Sequence, residues 1–184
     1  MTAVKLLVFL LASAALMYIS RVSLRVPLSH GFYRFFAWEA ILGLLLMNLD
    51  RWFHDPLSPA QVVSWVLLFV SAFLAVHVAR LLQIVGKPDP RRTDDALFKL
   101  EKTTRLVTVG AYRYIRHPAY ASLLCLAWGA FFKNTSWRPA LLVLAATVFL
   151  VLTAKVEEAE NIRFFGTEYG EYIRKTKMFV PFLL

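Results

Sequence analysis

Residues 116–158 read RHPAYASLLCLAWGAFFKNTSWRPALLVLAATVFLVLTAKVEE, and this segment is the most informative part of the sequence about the fold. It contains two apolar segments separated by a short polar turn, which predicts an antiparallel helical hairpin. The cluster Arg116 to Tyr120 opens the first segment, and Glu157 and Glu158 close the second. Both clusters are therefore expected at one membrane face. Charged side chains at the edge of hydrocarbon are costly unless they are paired, so the two clusters together indicate a functional site.

The composition is typical of an integral membrane protein. Hydrophobic residues make up 59% of the 184 residues, charged residues make up 18%, and the mean hydropathy is +0.57. These values exclude an ordinary soluble domain. The single cysteine, Cys125, lies in an apolar run, which excludes an intrachain disulfide and a cysteine metal cluster. The net charge of +9 comes from basic residues that flank apolar runs, so it favours membrane topology over nucleic-acid binding.

Five apolar segments are predicted to cross the bilayer, which gives an all-α polytopic fold in one domain, residues 1–184. They run from about Thr2 to Ile19, Tyr33 to Leu49, Ala60 to Val85, Pro118 to Phe132 and Trp137 to Ala154, where the last continues as a charged helix. We interpret the first as a retained span because Arg21 and Arg25 follow it directly, without a signal-peptide cleavage site. The fourth is short, since roughly 16 residues give about 24 Å against a hydrocarbon core of ~30 Å.

The distribution of lysine and arginine predicts the orientation. If the carboxyl terminus is cytoplasmic, 17 basic residues lie on the inner side, including Arg21, Arg25 and Arg34 in the first loop, and 4 lie on the outer side. The positive-inside rule then places the amino terminus outside and the carboxyl terminus in the cytoplasm. Both polar clusters are expected to face the cytoplasm.

The inner segment from Gly86 to Arg116 is predicted to contain an interfacial helix. Thr93-Asp94-Asp95 is a typical helix start, and the following turns place leucines and Phe98 opposite lysines and Arg105. Such a helix suits the headgroup level of the membrane. It serves either as an anchor or as a lid over a bound cofactor.

The first polar cluster predicts an anion-binding helix start. Pro118 fits the first helical position, where its missing amide hydrogen costs nothing, and His117 then lies near the cap. The free amides and the partial positive charge of this end, together with Arg116, attract a carboxylate or phosphate. Taken alone, the cluster is more typical of a positive-inside anchor with interfacial aromatic residues than of a binding site. His117 has no second metal-type ligand nearby, so no metal site is predicted.

The second polar cluster needs a partner. Glu157 and Glu158 directly follow an apolar run, where carboxylates gain nothing from the membrane's preference for basic residues. A solvated helix with a Glu160 to Arg163 pair is one explanation. The predicted hairpin supplies another, because it places the cationic helix start next to the glutamate pair.

The carboxyl-terminal half also carries an ordered pattern. GAYRYIRHPAY at residues 110–120 is followed by Glu157-Glu158, Phe164-Phe165-Gly166, Tyr169, Tyr172 and Phe179-Val180-Pro181-Phe182. This order and spacing resembles the isoprenylcysteine carboxyl methyltransferase family, a broad superfamily that also includes phospholipid N-methyltransferases. The resemblance covers about the last 80 residues. It is specific to the superfamily and leaves the substrate open.

The resemblance implies a membrane methyltransferase that uses S-adenosylmethionine and acts on a lipophilic or lipid-linked acceptor. Residues 1–85 would then form amino-terminal spans and residues 86–184 a cofactor-binding core. The implied cofactor-binding residues are Val109, Gly110, Tyr112, His117, Pro118, Tyr120, Glu157, Glu158 and Asn161. The implied catalytic residues are Glu157 and Arg116. A ligand with a carboxylate, an ammonium and a sulfonium suits a cationic helix end, carboxylates and aromatic rings.

One departure from the family leaves the acceptor undecided. In the isoprenylcysteine enzymes, arginines shortly before the glutamate pair handle the substrate carboxylate, whereas Val151 to Ala154 occupy that stretch here. A carboxylate, an amine and a thiol all remain possible acceptors. Two other functions also remain: an NADPH-dependent sterol-type membrane reductase, which shares a similar Arg-His-Pro pattern, and a non-catalytic membrane scaffold.

Overall fold

The computed structural model describes residues 2–86 and 105–182, and they form a helical bundle. Its helices are α1 (Ala3–Ile19), α2 (Arg21–Leu24), α3 (His30–Asn48), α4 (Pro59–Ile84), α5 (Pro118–Phe131), α6 (Trp137–Phe165) and α7 (Thr167–Lys175). Short 3-10 turns cover Leu49–Arg51 and Gly110–Arg113. The predicted all-α fold is confirmed, and the five apolar segments correspond to α1, α3, α4, α5 and α6.

Three of these helices are long and apolar enough to cross a membrane. They are His30–Arg51, Pro59–Ile84 and Trp137–Phe165. The apolar helices α1 and α5 are shorter, with 17 and 14 residues. The chain is thus an integral membrane protein by helix length and family pattern, while the prediction of five complete spans stays a prediction.

Small side chains let the helices approach closely. α3 packs along α6, α4 packs along α5, and α5 also contacts α6. The core between α3, α5 and α6 contains Ala37, Ala127, Ala130, Ala146 and Ala154, together with larger residues such as Leu44 and Leu150. Alanine at such interfaces is favourable in a membrane because helix association there depends on close van der Waals contact.

Specific caps fix the helix ends near the predicted site. Ser29 begins α3, where its hydroxyl accepts a hydrogen bond from the Phe32 amide at 3.2 Å. Pro118 stands in the first turn of α5, as the sequence predicts. Gly166 ends α6 with a positive φ of 60°, a conformation that glycine adopts without strain, and the chain turns there into α7.

Two of the expectations from the sequence concern Arg34 and the segment after Gly86. Arg34 was expected in the first inner loop, but it lies inside α3 and is buried at 2% exposure. The sequence predicts that the second apolar segment begins at Tyr33, whereas α3 begins at His30. The difference arises because the polar residues His30 and Arg34, both buried, lie in the first turns of α3. The interfacial helix expected from Thr93 onward lies largely in residues 87–104, outside the described part of the chain.

Candidate functional site

The carboxyl-terminal segment holds the start of α5 in place through backbone hydrogen bonds. The Arg116 amide donates to the Lys177 carbonyl at 2.7 Å, and the His117 amide donates to the Met178 carbonyl at 3.1 Å. In return the Lys177 amide donates to the Tyr114 carbonyl at 3.0 Å. This short parallel pairing gives a partner to the amide of His117, the N-cap of α5, which the helix itself leaves without one. It also leaves the side chains of Arg116 and His117 facing α6.

Arg116 forms an ion pair with the second glutamate of α6. Its Nε donates to Glu158 Oε1 at 2.5 Å, and both side chains are mostly buried, at 10% and 16% exposure. Its Nη1 donates to the carbonyls of Thr176 and Ile173, which belong to the carboxyl-terminal segment and α7. Arg116 therefore ties together α5, α6 and the end of the chain.

His117 lies between the two glutamates. Its Nε2 is 3.3 Å from Glu158 Oε1, and its Nδ1 is 3.7 Å from Glu157 Oε2. The imidazole stacks on the Tyr120 ring, with centroids 5.5 Å apart and an interplanar angle of 20°. The predicted juxtaposition of the α5 start and the glutamate pair is therefore present in the structure.

Glu157 faces a cleft between α5, α6 and α7. Its Oε2 is buried and, among the described residues, has no hydrogen-bond partner. The cleft is lined by Leu82, Leu106, Val107, Tyr112, Arg116, His117, Ala119, Tyr120, Glu157, Asn161, Phe165, Tyr169 and Tyr172. A buried carboxylate oxygen without a hydrogen bond costs free energy, so Glu157 Oε2 indicates a place for a hydrogen-bond donor of a ligand.

Two buried tyrosines of α7 close one side of the cleft. The Tyr172 hydroxyl donates to the Tyr112 carbonyl at 2.6 Å, and Asn161 hydrogen-bonds the Tyr169 hydroxyl. Burial raises the pKa of both phenols above the ordinary tyrosine value, and the nearby Glu157 charge raises the pKa of Tyr169 further. Both hydroxyls therefore stay protonated at physiological pH.

The structure brings most of the predicted residues to this cleft. Tyr112, Arg116, His117, Tyr120, Glu157 and Asn161 line it. The other four predicted residues are placed behind or beside it. Glu158 pairs with Arg116, Pro118 is buried in the first turn of α5, and Val109 is 46% exposed.

Gly110, the last of these four, has a backbone role at the edge of the site. Its φ is +62°, and an added Cβ would lie 2.6 Å from His77 Nε2. His77 Nε2 in turn accepts a hydrogen bond from the Ala111 amide at 3.2 Å. Glycine is thus needed here for both conformation and space.

Sequence reasoning did not include His30, His77, Phe165, Tyr169 or Tyr172 among the site residues. His30 Nδ1 lies 2.5 Å from Glu160 Oε2, which joins the first turn of α3 to α6 next to Glu157. His30 and His77 lie on α3 and α4, and one sequence carries no signal for which helices are neighbours. Phe165 lies on α6 with Glu157, and Phe165, Tyr169 and Tyr172 did have a signal, since they belong to the pattern that carries the family resemblance.

The arrangement suits a small ligand with charges of both signs. The carboxylate of Glu157 borders the cleft, and the basic side chains of His117 and Arg116 line it close by, with His117 Nδ1 3.7 Å from Glu157 Oε2. The rings of Tyr120, Tyr169 and Phe165 provide faces for an apolar or cationic group.

The sequence of this chain is similar to those of known methyltransferases. A model of the phospholipid methyltransferase family matches residues 59–168. Methanethiol S-methyltransferase 1 of Bradyrhizobium diazoefficiens is 26% identical over 147 residues, which cover 80% of this chain and 49% of that protein. Protein-S-isoprenylcysteine O-methyltransferase of Schizosaccharomyces pombe is 33% identical over 86 residues, 46% of this chain and 36% of that protein.

A third relative covers both chains more evenly. A probable protein-S-isoprenylcysteine O-methyltransferase of Oryza sativa subsp. indica is 27% identical over 150 residues, 79% of this chain and 77% of that protein. The chain spans about half the length of the methanethiol S-methyltransferases that it matches. No solved structure matches the chain.

Proposed function

The chain belongs to the phospholipid methyltransferase family, and from this premise we propose that it transfers a methyl group from S-adenosylmethionine to a lipophilic or lipid-linked acceptor. The reaction would take place in the cleft between α5, α6 and α7, at the cytosolic face of the membrane. The observation that carries the proposal is the buried Oε2 of Glu157, which has no hydrogen bond among the described residues and lies 3.7 Å from His117 Nδ1 at the start of α5.

The residues of the cleft fit the methyl donor. Its ammonium or ribose hydroxyls would donate to Glu157 Oε2, and its carboxylate would lie toward Arg116 and His117. Tyr120 and Tyr169 would contact its sulfonium through their ring faces. When bound, the donor supplies an activated methyl group for an in-line displacement.

The protein's part in such a reaction is alignment and exclusion of water. Reactants held in near-attack geometry need little further assistance, so the packed walls of α5, α6 and α7 account for most of the expected acceleration. Glu157 would accept a proton where the acceptor is an amine or a thiol. Arg116 would act as a positioning residue, because its guanidinium binds Glu158 and the carboxyl-terminal segment.

An apolar groove next to the cleft supports a lipophilic acceptor. It lies between α4, α5 and the carboxyl-terminal segment and is lined by residues such as Val70, Leu74, Leu124, Cys125 and Phe179. Ile115 and Ala121, which also line it, are the direct neighbours of Arg116 and Tyr120. A hydrocarbon tail in this groove would bring its polar end toward the cleft. Relatives named for methanethiol and isoprenylcysteine leave a thiol and a carboxylate as the leading acceptor classes.

Ligand binding by the purified full chain tests the proposal. Calorimetry with S-adenosylhomocysteine, the demethylated product, should give micromolar affinity, and Glu157→Gln should weaken it at least about tenfold because a charge-assisted hydrogen bond is lost. Glu168→Gln is the matched control, since this exposed glutamate of α7 is absent from the cleft lining. Binding of NADPH in place of S-adenosylhomocysteine would favour the reductase, and binding of neither by folded protein would favour the scaffold.

A further inference from the structure

A second cleft lies on the other side of the carboxyl-terminal segment. Its basic residues are Arg116 at the start of α5, Lys155 of α6, Arg174 and Lys175 of α7, and Lys177, and we call it the basic cleft. Its apolar wall comprises Val151, Ile173, Met178 and Phe179. The family resemblance and the proposed methyl transfer assign no role to the four cations other than Arg116.

Apart from Arg116, which pairs with Glu158, the basic residues of this cleft have no ion-pair partner within the described part of the chain. Its lining includes no aspartate or glutamate, and Lys155, Arg174, Lys175 and Lys177 form no ion pair there. A neighbouring cleft on α7 is different, because Glu168 and Glu171 line it together with basic residues. Lys175 lines both clefts, whereas Lys155, Arg174 and Lys177 line the basic cleft and not its neighbour. Basic side chains that line one cleft without ion-pair partners favour an anionic ligand with several acceptor oxygens.

The position of the basic cleft along α6 indicates which kind of anion it would bind. Val151 belongs to the apolar run of α6, and Lys155 lies one helical turn further, about 6 Å along the axis. The cleft thus begins at the depth of the hydrocarbon and ends at the depth of the headgroups. A phosphate at the level of Lys155 would leave an attached acyl chain beside Val151 and Phe179.

We propose that the basic cleft binds the phosphate headgroup of an anionic membrane phospholipid, with an acyl chain along its apolar wall. This inference goes beyond the proposed methyl transfer and does not depend on it. The lipid would serve as a structural ligand of the carboxyl-terminal segment. Lys175 and Lys177 flank Thr176, whose carbonyl accepts from Arg116, so a phosphate bound there would hold the segment against the start of α5.

Lipid binding by the purified full chain tests this proposal directly. Native mass spectrometry in detergent should show retention of phosphatidylglycerol over phosphatidylcholine of the same chain length. The variant Lys155→Gln/Lys175→Gln/Lys177→Gln should bind phosphatidylglycerol at least about tenfold more weakly, since basic residues at the membrane surface supply most of the attraction to anionic lipids. The matched control is Arg25→Gln/Arg80→Gln/Arg105→Gln, which removes the same charge from exposed positions outside the cleft and should stay within about twofold of the unaltered chain.

Three results would overturn the proposal. Equal retention of both lipids would exclude headgroup recognition. An equal loss of phosphatidylglycerol binding in both triple variants would show that the loss depends on net charge alone. Displacement of the lipid by equimolar inorganic phosphate would assign the cleft to a free anion. If the triple variant does not fold, Lys155→Gln alone decides, with a loss of about threefold expected and no change contradicting the proposal. The readout requires no methyl transfer, so failure of the proposed function leaves this test unaffected.

Discussion

Tyr172 joins separate segments of the chain at the edge of the candidate site. Its hydroxyl donates to the Tyr112 carbonyl at 2.6 Å, and its own carbonyl accepts from the Thr176 hydroxyl at 2.6 Å. Both residues that it contacts are adjacent to the backbone pairing that holds Arg116. Tyr172 therefore links α7 to the loop before α5 through its phenol and to the carboxyl-terminal segment through its backbone carbonyl.

Removal of this hydroxyl should destabilise the protein and loosen the cleft. Tyr172→Phe leaves the Tyr112 carbonyl without its donor, and we expect a loss of about 1 kcal/mol in the free energy of unfolding. Thermal unfolding in detergent measures this loss. Tyr114→Phe is the control because Tyr114 is 49% exposed, and an equal effect of the two variants would contradict the role assigned to Tyr172.

The buried phenols also predict a dependence of stability on pH. Burial raises the pKa of Tyr169 and Tyr172 in the folded protein, whereas the unfolded chain titrates near the ordinary value of about 10. Above that pH the unfolded state binds fewer protons, so their contribution is complete below pH ~10 and is lost as pH rises further. Unfolding measured from pH 8 to 11.5 should show a decline that is smaller in Tyr169→Phe/Tyr172→Phe. An unchanged slope would show that other groups cause the alkaline loss.

At the scale of helices, the contact between α4 and α5 depends on a glycine. A Cβ added to Gly129 would lie 2.9 Å from Leu68 Cγ and 3.3 Å from Leu67 Cβ. The Gly129 carbonyl also accepts from the Ser64 hydroxyl at 2.7 Å. The two backbones are therefore close enough for a side chain of one to bond the backbone of the other, as is common where small residues line a membrane helix interface.

Gly129→Ala should separate these helices, and a compensating change should restore them. The crowded contact is expected to cost about 1–3 kcal/mol, as overpacking typically does. Adding Leu68→Ala removes the clashing Cγ, so the double variant should be less destabilised than the sum of its two single variants. Thermal unfolding of the four proteins gives the coupling energy. Simple additivity would show that Gly129 and Leu68 are not in contact.

The sequence predicts helices better than it predicts their neighbours. Continuous apolar runs locate α1, α3, α4, α5 and α6, because a bilayer requires long apolar helices with internally satisfied backbones. The polar start of α3 was missed, since buried His30 has its partner Glu160 130 positions later. Position in the chain cannot indicate such a contact.

The candidate site, like the fold, was predictable only in part. The turn between α5 and α6 is short, so the meeting of Arg116 with the glutamate pair was predictable. The exact pairing was not, because Glu157 and Glu158 are equivalent in sequence. Their difference follows from the rotation of α6, which directs Glu158 to Arg116 and leaves Glu157 at the cleft.

Across the whole molecule, a second buried polar cluster lies at the end of the bundle opposite the site. Lys133 is 4% exposed, its Nζ donates to Gln61 Oε1 at 2.9 Å, and the ammonium lies 3.3 Å from the centroid of the Trp65 ring. Asn48 donates to the Ala130 carbonyl at 2.8 Å in the same region. These contacts connect α3, α4 and the turn after α5. The two ends of the bundle thus differ, with a buried cluster around Lys133 at one end and a cleft at the other.

The distribution of basic residues predicts the orientation of the bundle in the membrane, and this prediction can be measured. The 17 to 4 distribution of basic residues favours the end with the candidate site as the cytoplasmic one, and the placement of Arg34 inside α3 leaves this asymmetry large. A reporter fused after the carboxyl terminus should therefore read as cytoplasmic, and one fused before the amino terminus as external. The proposed donor, S-adenosylmethionine, is charged and water-soluble, so the proposed methyl transfer requires the site to face the compartment that contains it. A carboxyl-terminal reporter on the outer side would separate the cleft from that compartment and contradict both the topology and the proposed methyl transfer.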